Sequence, residues 1–196
     1  MEFIDAIYNM LPNKALSDAL ISNMREVGAP TYAPEELEFA AKIAETVPRQ
    51  QKVDSLRKRK VPDYERFIDV DLVTDILDPW DEGEVSPSST DVGDVSWITP
   101  TMEFSTTTFV LGAPGHSWQH VACSGTSIGH KSLIFAAKTM AGAALDLIAD
   151  AGLLERAKEE HRERLKGRTY KCAIPEDVQP PLEIARKAAE KLKGRK

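Results

Sequence analysis

The sequence is poor in cysteine, in histidine and in metal-binding signatures. Its 196 residues hold two cysteines, Cys123 and Cys172, too far apart to form a CxxC pair. That excludes a disulfide-stapled scaffold and a cysteine-based zinc knuckle, and points to reduced thiols in the cytoplasm. No HExxH motif and no EF-hand loop occurs. The start, MEFIDAIYNMLPNK, lacks the basic residues and long apolar centre of a secretory leader. The most apolar run, Ile134 to Ile148, is interrupted by Lys138 and Asp146 and falls short of the ~20 residues that span a bilayer, so no membrane partner is expected. Nor is there an excess of positive charge. The net charge is -6, which argues against nucleic acid as a partner. The basic run Arg57-Lys58-Arg59-Lys60 is local, flanked by Asp54 and Asp63, and reads as a solvated face. No internal repeat is present.

What is present is a chain that is 42% hydrophobic, enough for a core in one domain of about 100–200 residues. Asn13 can cap a helix reaching Val27, with Leu16, Leu20, Ile21 and Met24 at helical spacing. Pro34, Glu35 and Glu36 open a second helix, and Pro48 stops it. Residues 49–89 are charged and interrupted by prolines, and read mostly as loop. Thr101–Val110 is rich in Thr and Phe and reads as a strand. A Gly-Ala-Pro-Gly turn and His116 follow, then a long helix from Ile128 to Ala149, apolar nearly all round. A strand followed by a helix favours an α/β layered fold. Leu153–Lys166 and Leu182–Leu192 are further helices, and the terminal Gly-Arg-Lys is expected to fray.

Four histidines and two aspartates are the candidates for chemistry. His116 sits in a loop just past the expected strand, where ligands gather in open α/β sheets. A loop histidine is also often simply a solvated one. His120 would share a face with His116 only if the segment between them were helical, and the flanking glycine turns argue against that. His130 opens the long helix beside Lys131; there it either hydrogen-bonds locally or lies near an anionic ligand. His161, in Glu-Glu-His-Arg, reads as a solvated helix residue. Asp91 and Asp94 bracket Gly93 and serve either a ligand site or a helix cap.

Three segments carry a more specific message: SSTDVGDVSW, GAPGHSWQ and TSIGHKSLIFAAKTMA. With LPNKAL, APTYAPEELEFAAKI and YKCAIPEDVQP, they resemble the C-terminal part of the metal-dependent amidohydrolases of the aminoacylase and carboxypeptidase G superfamily. The resemblance implies an α/β fold: the C-terminal portion of a zinc-peptidase-like three-layer catalytic domain, with the lid domain almost entirely missing. Residues 1–12 would be the end of a lid strand returning to the catalytic domain, and residues 13–196 the C-terminal half of that domain. It implies hydrolysis of the amide bond of an N-acyl or aroyl amino acid, with two divalent metals, zinc or manganese, in a complete site. The last metal ligand of the family matches Gly115-His116-Ser117, which makes His116 a metal ligand; His120 has no counterpart. Asp91 and Asp94 match an acidic turn beside the active site, and His130 falls near the substrate. The family's catalytic glutamate and most of its ligands belong to a half that this chain lacks. The implied partners are a small-molecule amide substrate and, in the complete enzyme, a second copy or a homologous chain. A non-catalytic module that needs a partner chain for the missing half-site is the alternative.

Overall fold

The computed structural model describes residues 5–84, 89–179 and 182–193. Met1–Ile4, part of the expected lid-strand end, and the terminal Gly-Arg-Lys lie outside the described residues. Lys14–Val27 forms α1. Asn13 accepts from the Leu16 N–H at 3.0 Å, as a capping residue does, and its Nδ2 donates to the Ala157 carbonyl at 2.8 Å. The Glu160 carboxylate takes the Lys14 and Ala15 N–H groups at 2.7 and 2.9 Å. The first turn of α1 is therefore satisfied by its own cap and by a distant helix at once. Pro34–Ala44 forms α2, with Glu36 reaching back to the Ala33 N–H at 2.6 Å.

Arg49–Lys58 is a third helix, α3, where the sequence reads as loop. Helix α2 ends at Ala44, short of Pro48, and Pro48 instead opens α3 as its N-cap, where a missing N–H is no loss. The stripe of α3 is hidden in the sequence because one of its buried residues is Lys52. Its ammonium donates to the Val70 carbonyl at 3.0 Å and pairs with Asp71 at 3.2 Å, while Leu56 packs one turn on. A 3-10 turn at Tyr64–Phe67 follows, then short helices α4 (Val92–Ser96) and α5 (Trp118–Ser124). Ser127–Ala149 is the long α6, capped by Thr126. Ala151–Leu165 is α7, which ends in the left-handed residues Lys166 and Gly167, and Leu182–Lys193 is α8.

The expected α/β architecture is not observed. The fold is helical, and among the described residues the one β pairing is an isolated parallel bridge between Pro12 and Thr101. Thr101–Val110, expected as a strand, takes no regular secondary structure beyond the bridge at Thr101. Its neighbour, residues 71–77, also has no regular structure, with bends at Asp71 and Leu72, and the two touch through few backbone groups. Leu111 N–H donates to the Asp71 carbonyl at 2.8 Å, and the Thr107 hydroxyl donates to the Val73 carbonyl. The Thr107 carbonyl goes to the Tyr32 hydroxyl and the Thr106 hydroxyl to Ser132. A strand forms only with a partner, and two β-favouring stretches alone are too few for a stable sheet.

Val110, at the end of this extended run, is fully buried among Ala40, Ile43, Val47, Leu72, Cys123 and Ile128. A second cluster joins Leu56, Val61 and Phe67. Helix α6 lies along α1, and its buried residues are mostly small, Gly129, Ser132, Thr139 and Ala143, with Ile128 and Phe135 among them. Gly142 lets the Asn23 amide come close, since a Cβ would stand 2.0 Å from its Oδ1 and push that side chain aside. Helix α6 as a whole, at 23 residues, is long and apolar enough to cross a membrane, which the shorter run read from the sequence is not.

Candidate functional site

Two separate neighbourhoods hold the residues singled out in the sequence. The first is the turn before α5. His116 is exposed and takes a left-handed backbone, φ 56°. That conformation is uncommon outside glycine, although histidine tolerates it better than most, and such residues gather at functional sites. Ser117 then caps α5 by accepting from the His120 N–H. His120 is therefore helical, contrary to the expectation of a loop, while His116 stands just before the cap. The His120 ring packs edge-on against Phe109, with centroids 3.4 Å apart, and its Nε2 is buried without a hydrogen-bond partner. Burial, and then the nearby His116, lower its pKa. Both effects disfavour a second positive charge in an apolar setting. The two histidines thus divide: one faces solvent on a strained turn, the other lies against Phe109.

The second neighbourhood is a knot around α4. Asp94 accepts from the Tyr8 N–H at 3.1 Å and from the Tyr170 hydroxyl at 2.9 Å. That carboxylate is the first cause of a Tyr170 pKa pushed up to about 12. Ser96 Oγ accepts from the Leu11 N–H at 2.8 Å, and the Trp97 indole donates to the Asn9 carbonyl at 2.9 Å. Gly93 is pressed so close to the N-terminal segment that a Cβ would stand 2.1 Å from the Tyr8 carbonyl oxygen. Asp91 is exposed at the start of α4 and makes no cap through its side chain; the Thr90 hydroxyl accepts from Val92 instead. The acidic turn thus ties the N-terminal segment, α4 and the tail into one unit.

His161, expected on a solvated face, belongs to the knot. It is buried and its Nε2 meets the Ser96 carbonyl at 2.9 Å. The signal was in the sequence: Leu153, Ala157 and His161 lie four residues apart, and all three are buried on α7. His130 is exposed in the first turn of α6. Its neighbour Lys131 is already engaged, by the Glu36 carboxylate at 2.6 Å and the Thr31 carbonyl at 2.9 Å. That contact, then Ser127 and the Ala33 N–H, hold Glu36 down to about 2.

The fit to a metal is decided by donor count. A metal needs about three protein ligands, and among the described residues no three His, Cys, Asp or Glu side chains come together. Asp94 spends one oxygen on a backbone N–H and the other on a phenol. His116 is an exposed imidazole with room for a ligand bond, yet it is a single donor. The described residues alone do not make a metal centre.

No family model and no solved structure matches the chain. Within the superfamily that the motifs resemble, they point to p-aminobenzoyl-glutamate hydrolase, and a comparison with curated proteins agrees. The alignment runs over 185 residues, and the chain spans 38% of that relative's length, well under half. Over 91% of its own length the chain is similar, at 34% identity, to one of the subunits named for p-aminobenzoyl-glutamate hydrolase in Escherichia coli K12.

Proposed function

We propose that this chain is the C-terminal part of a metal-dependent amidohydrolase that cleaves the amide bond of an N-acyl or aroyl amino acid such as p-aminobenzoyl-glutamate. The observation that carries the reading is the 34% identity over 91% of the chain to a protein named as a hydrolase of that substrate. In this reading His116 is the one metal ligand the chain contributes. Its exposure and its left-handed turn suit an imidazole offered outward. His120 is not a ligand, because its ring is packed against Phe109. Asp94 acts through position: pinned by Tyr8 and Tyr170, it holds α4 and its acidic turn in place. The remaining ligands and the general base come from a portion outside these 196 residues, carried by a longer chain or by a partner. The relative is named as one subunit of its enzyme, which favours an assembly of more than one chain.

Hydrolysis of p-aminobenzoyl-glutamate by the purified chain, with zinc or manganese added, tests this. The 196-residue protein alone is expected to match the metal blank. Mixed with the portion of the relative that lies outside the match, it is expected to turn over substrate. In that mixture His116→Ala abolishes both bound metal and turnover, and His120→Leu retains them. Chelator-sensitive turnover by the chain alone, or the reverse behaviour of the two histidine variants, would overturn the proposal.

A further inference from the structure

The long helix α6 is apolar on both sides, and its sides are unequal. The buried side carries Gly129, Ser132, Thr139 and Ala143, with two large residues, Ile128 and Phe135. The large aliphatic side chains point the other way. Leu133, Ile134, Met140, Leu145 and Ile148 are 66%, 55%, 59%, 65% and 81% exposed. They flank a row of exposed alanines, Ala137, Ala141 and Ala144, at the spacing of one helix face, and His130 opens the same face one turn earlier. A helix that is hydrophobic all round is buried all round, inside a larger protein or in a membrane. Five large apolar residues left in water along one helix are not what a finished surface shows.

We propose that this face of α6 docks the portion of a p-aminobenzoyl-glutamate hydrolase-like chain that lies outside the match, so that docking covers the Leu133–Ile148 stripe and brings that portion beside His130. The inference rests on the function proposed above, and deepens it by naming the surface and its occupant. Two observations choose this occupant. More than half of the relative's length has no counterpart in this chain, so a polypeptide large enough to cover a 23-residue helix is accounted for. The face also ends at His130, which is exposed in the first turn of the helix, so whatever covers it arrives next to that histidine. The stripe itself carries no charge between Leu133 and Ile148; Lys138 lies at its edge, and Asp146 turns inward to Asn23 of α1, as expected of a face that closes against apolar groups.

Co-expression of the chain with a tagged portion of the E. coli relative outside the matched 38% tests the surface. The two are expected to co-purify at equal stoichiometry, with or without metal. Leu145→Glu is expected to weaken the complex roughly 100-fold, the scale of a charge buried without a partner. In a Cys172→Ser background, the thiol of Ile148→Cys is expected to react readily in the free chain and to be shielded in the complex. Complex formation without turnover would sink the proposed function and leave the docking surface standing. Failure to co-purify, or capture that Leu145→Glu does not weaken, would overturn the surface. So would a homodimer of the chain alone that Leu145→Glu dissociates, or flotation with phosphatidylglycerol vesicles that Leu145→Glu abolishes. In the first case the face belongs to a second copy, in the second to a membrane.

Discussion

The knot around α4 and the outer face of α6 are built on opposite principles. In the knot, polar groups from segments far apart in sequence are paired: Tyr8 with Asp94, Leu11 with Ser96, Asn9 with Trp97, His161 with Ser96. On the outer face of α6 five large aliphatic residues meet water. A polar network is favourable only when its members are satisfied, and the knot meets that condition within this chain. An apolar face is favourable only when covered, and this one is not. The contrast separates what these residues complete by themselves from what they hold in readiness.

The comparison breaks most sharply at Gly93. Gly93→Ala places a methyl 2.1 Å from the Tyr8 carbonyl oxygen, a backbone atom that cannot step aside alone. A loss of about 2–3 kcal/mol is expected, the upper range for overpacking, read as a lower urea midpoint. An unchanged midpoint would show that the N-terminal segment is not locked onto α4.

An intermediate effect comes from the base of α6, where Glu36 joins α2 to Lys131. Its pKa in the folded chain is about 2, against an ordinary value of 4.5. A depressed folded pKa stabilises the fold above the unfolded value, and that contribution is lost as pH falls from 4.5 towards 2. Thermal melts across that window are expected to drop in the parent chain and to drop less in Glu36→Gln. Parallel curves would remove Glu36 from the acid transition.

The smallest effect is expected on the open face. Leu145→Gln, at a residue 65% exposed, should alter the stability of the isolated chain by less than about 0.5 kcal/mol. A loss of several times that size would mean the face is already covered in the free protein. A neutral result certifies that the docking variants fail by lost contact and not by misfolding.

Local rules read from the sequence match much of the helical framework. Asn13 as a cap, Pro34 with Glu36 at a helix start, and the run ending at Ala149 all stand where spacing and capping chemistry put them. Thr101–Val110, read from its composition as a strand, joins no sheet among the described residues, because pairing depends on a second segment and a strand's own composition cannot supply one. Helix α3 was hidden by its buried Lys52, whose burial makes sense only once Val70 and Asp71 are beside it.

The candidate site divides the same way. The motif around His116 was visible as a string of residues, and the likeness of nearly the whole chain to part of a hydrolase follows from sequence alone. Tertiary structure decided which histidine faces water and which lies against Phe109. It also decided that Asp94 spends its oxygens on Tyr8 and Tyr170, and that His161 is interior. Capping, turn and helix periodicity act over a few residues and are therefore written in order along the chain. Burial and hydrogen-bond partnership join residues as far apart as Tyr8 and Asp94, 86 positions along the chain, and only the folded chain brings them into reach.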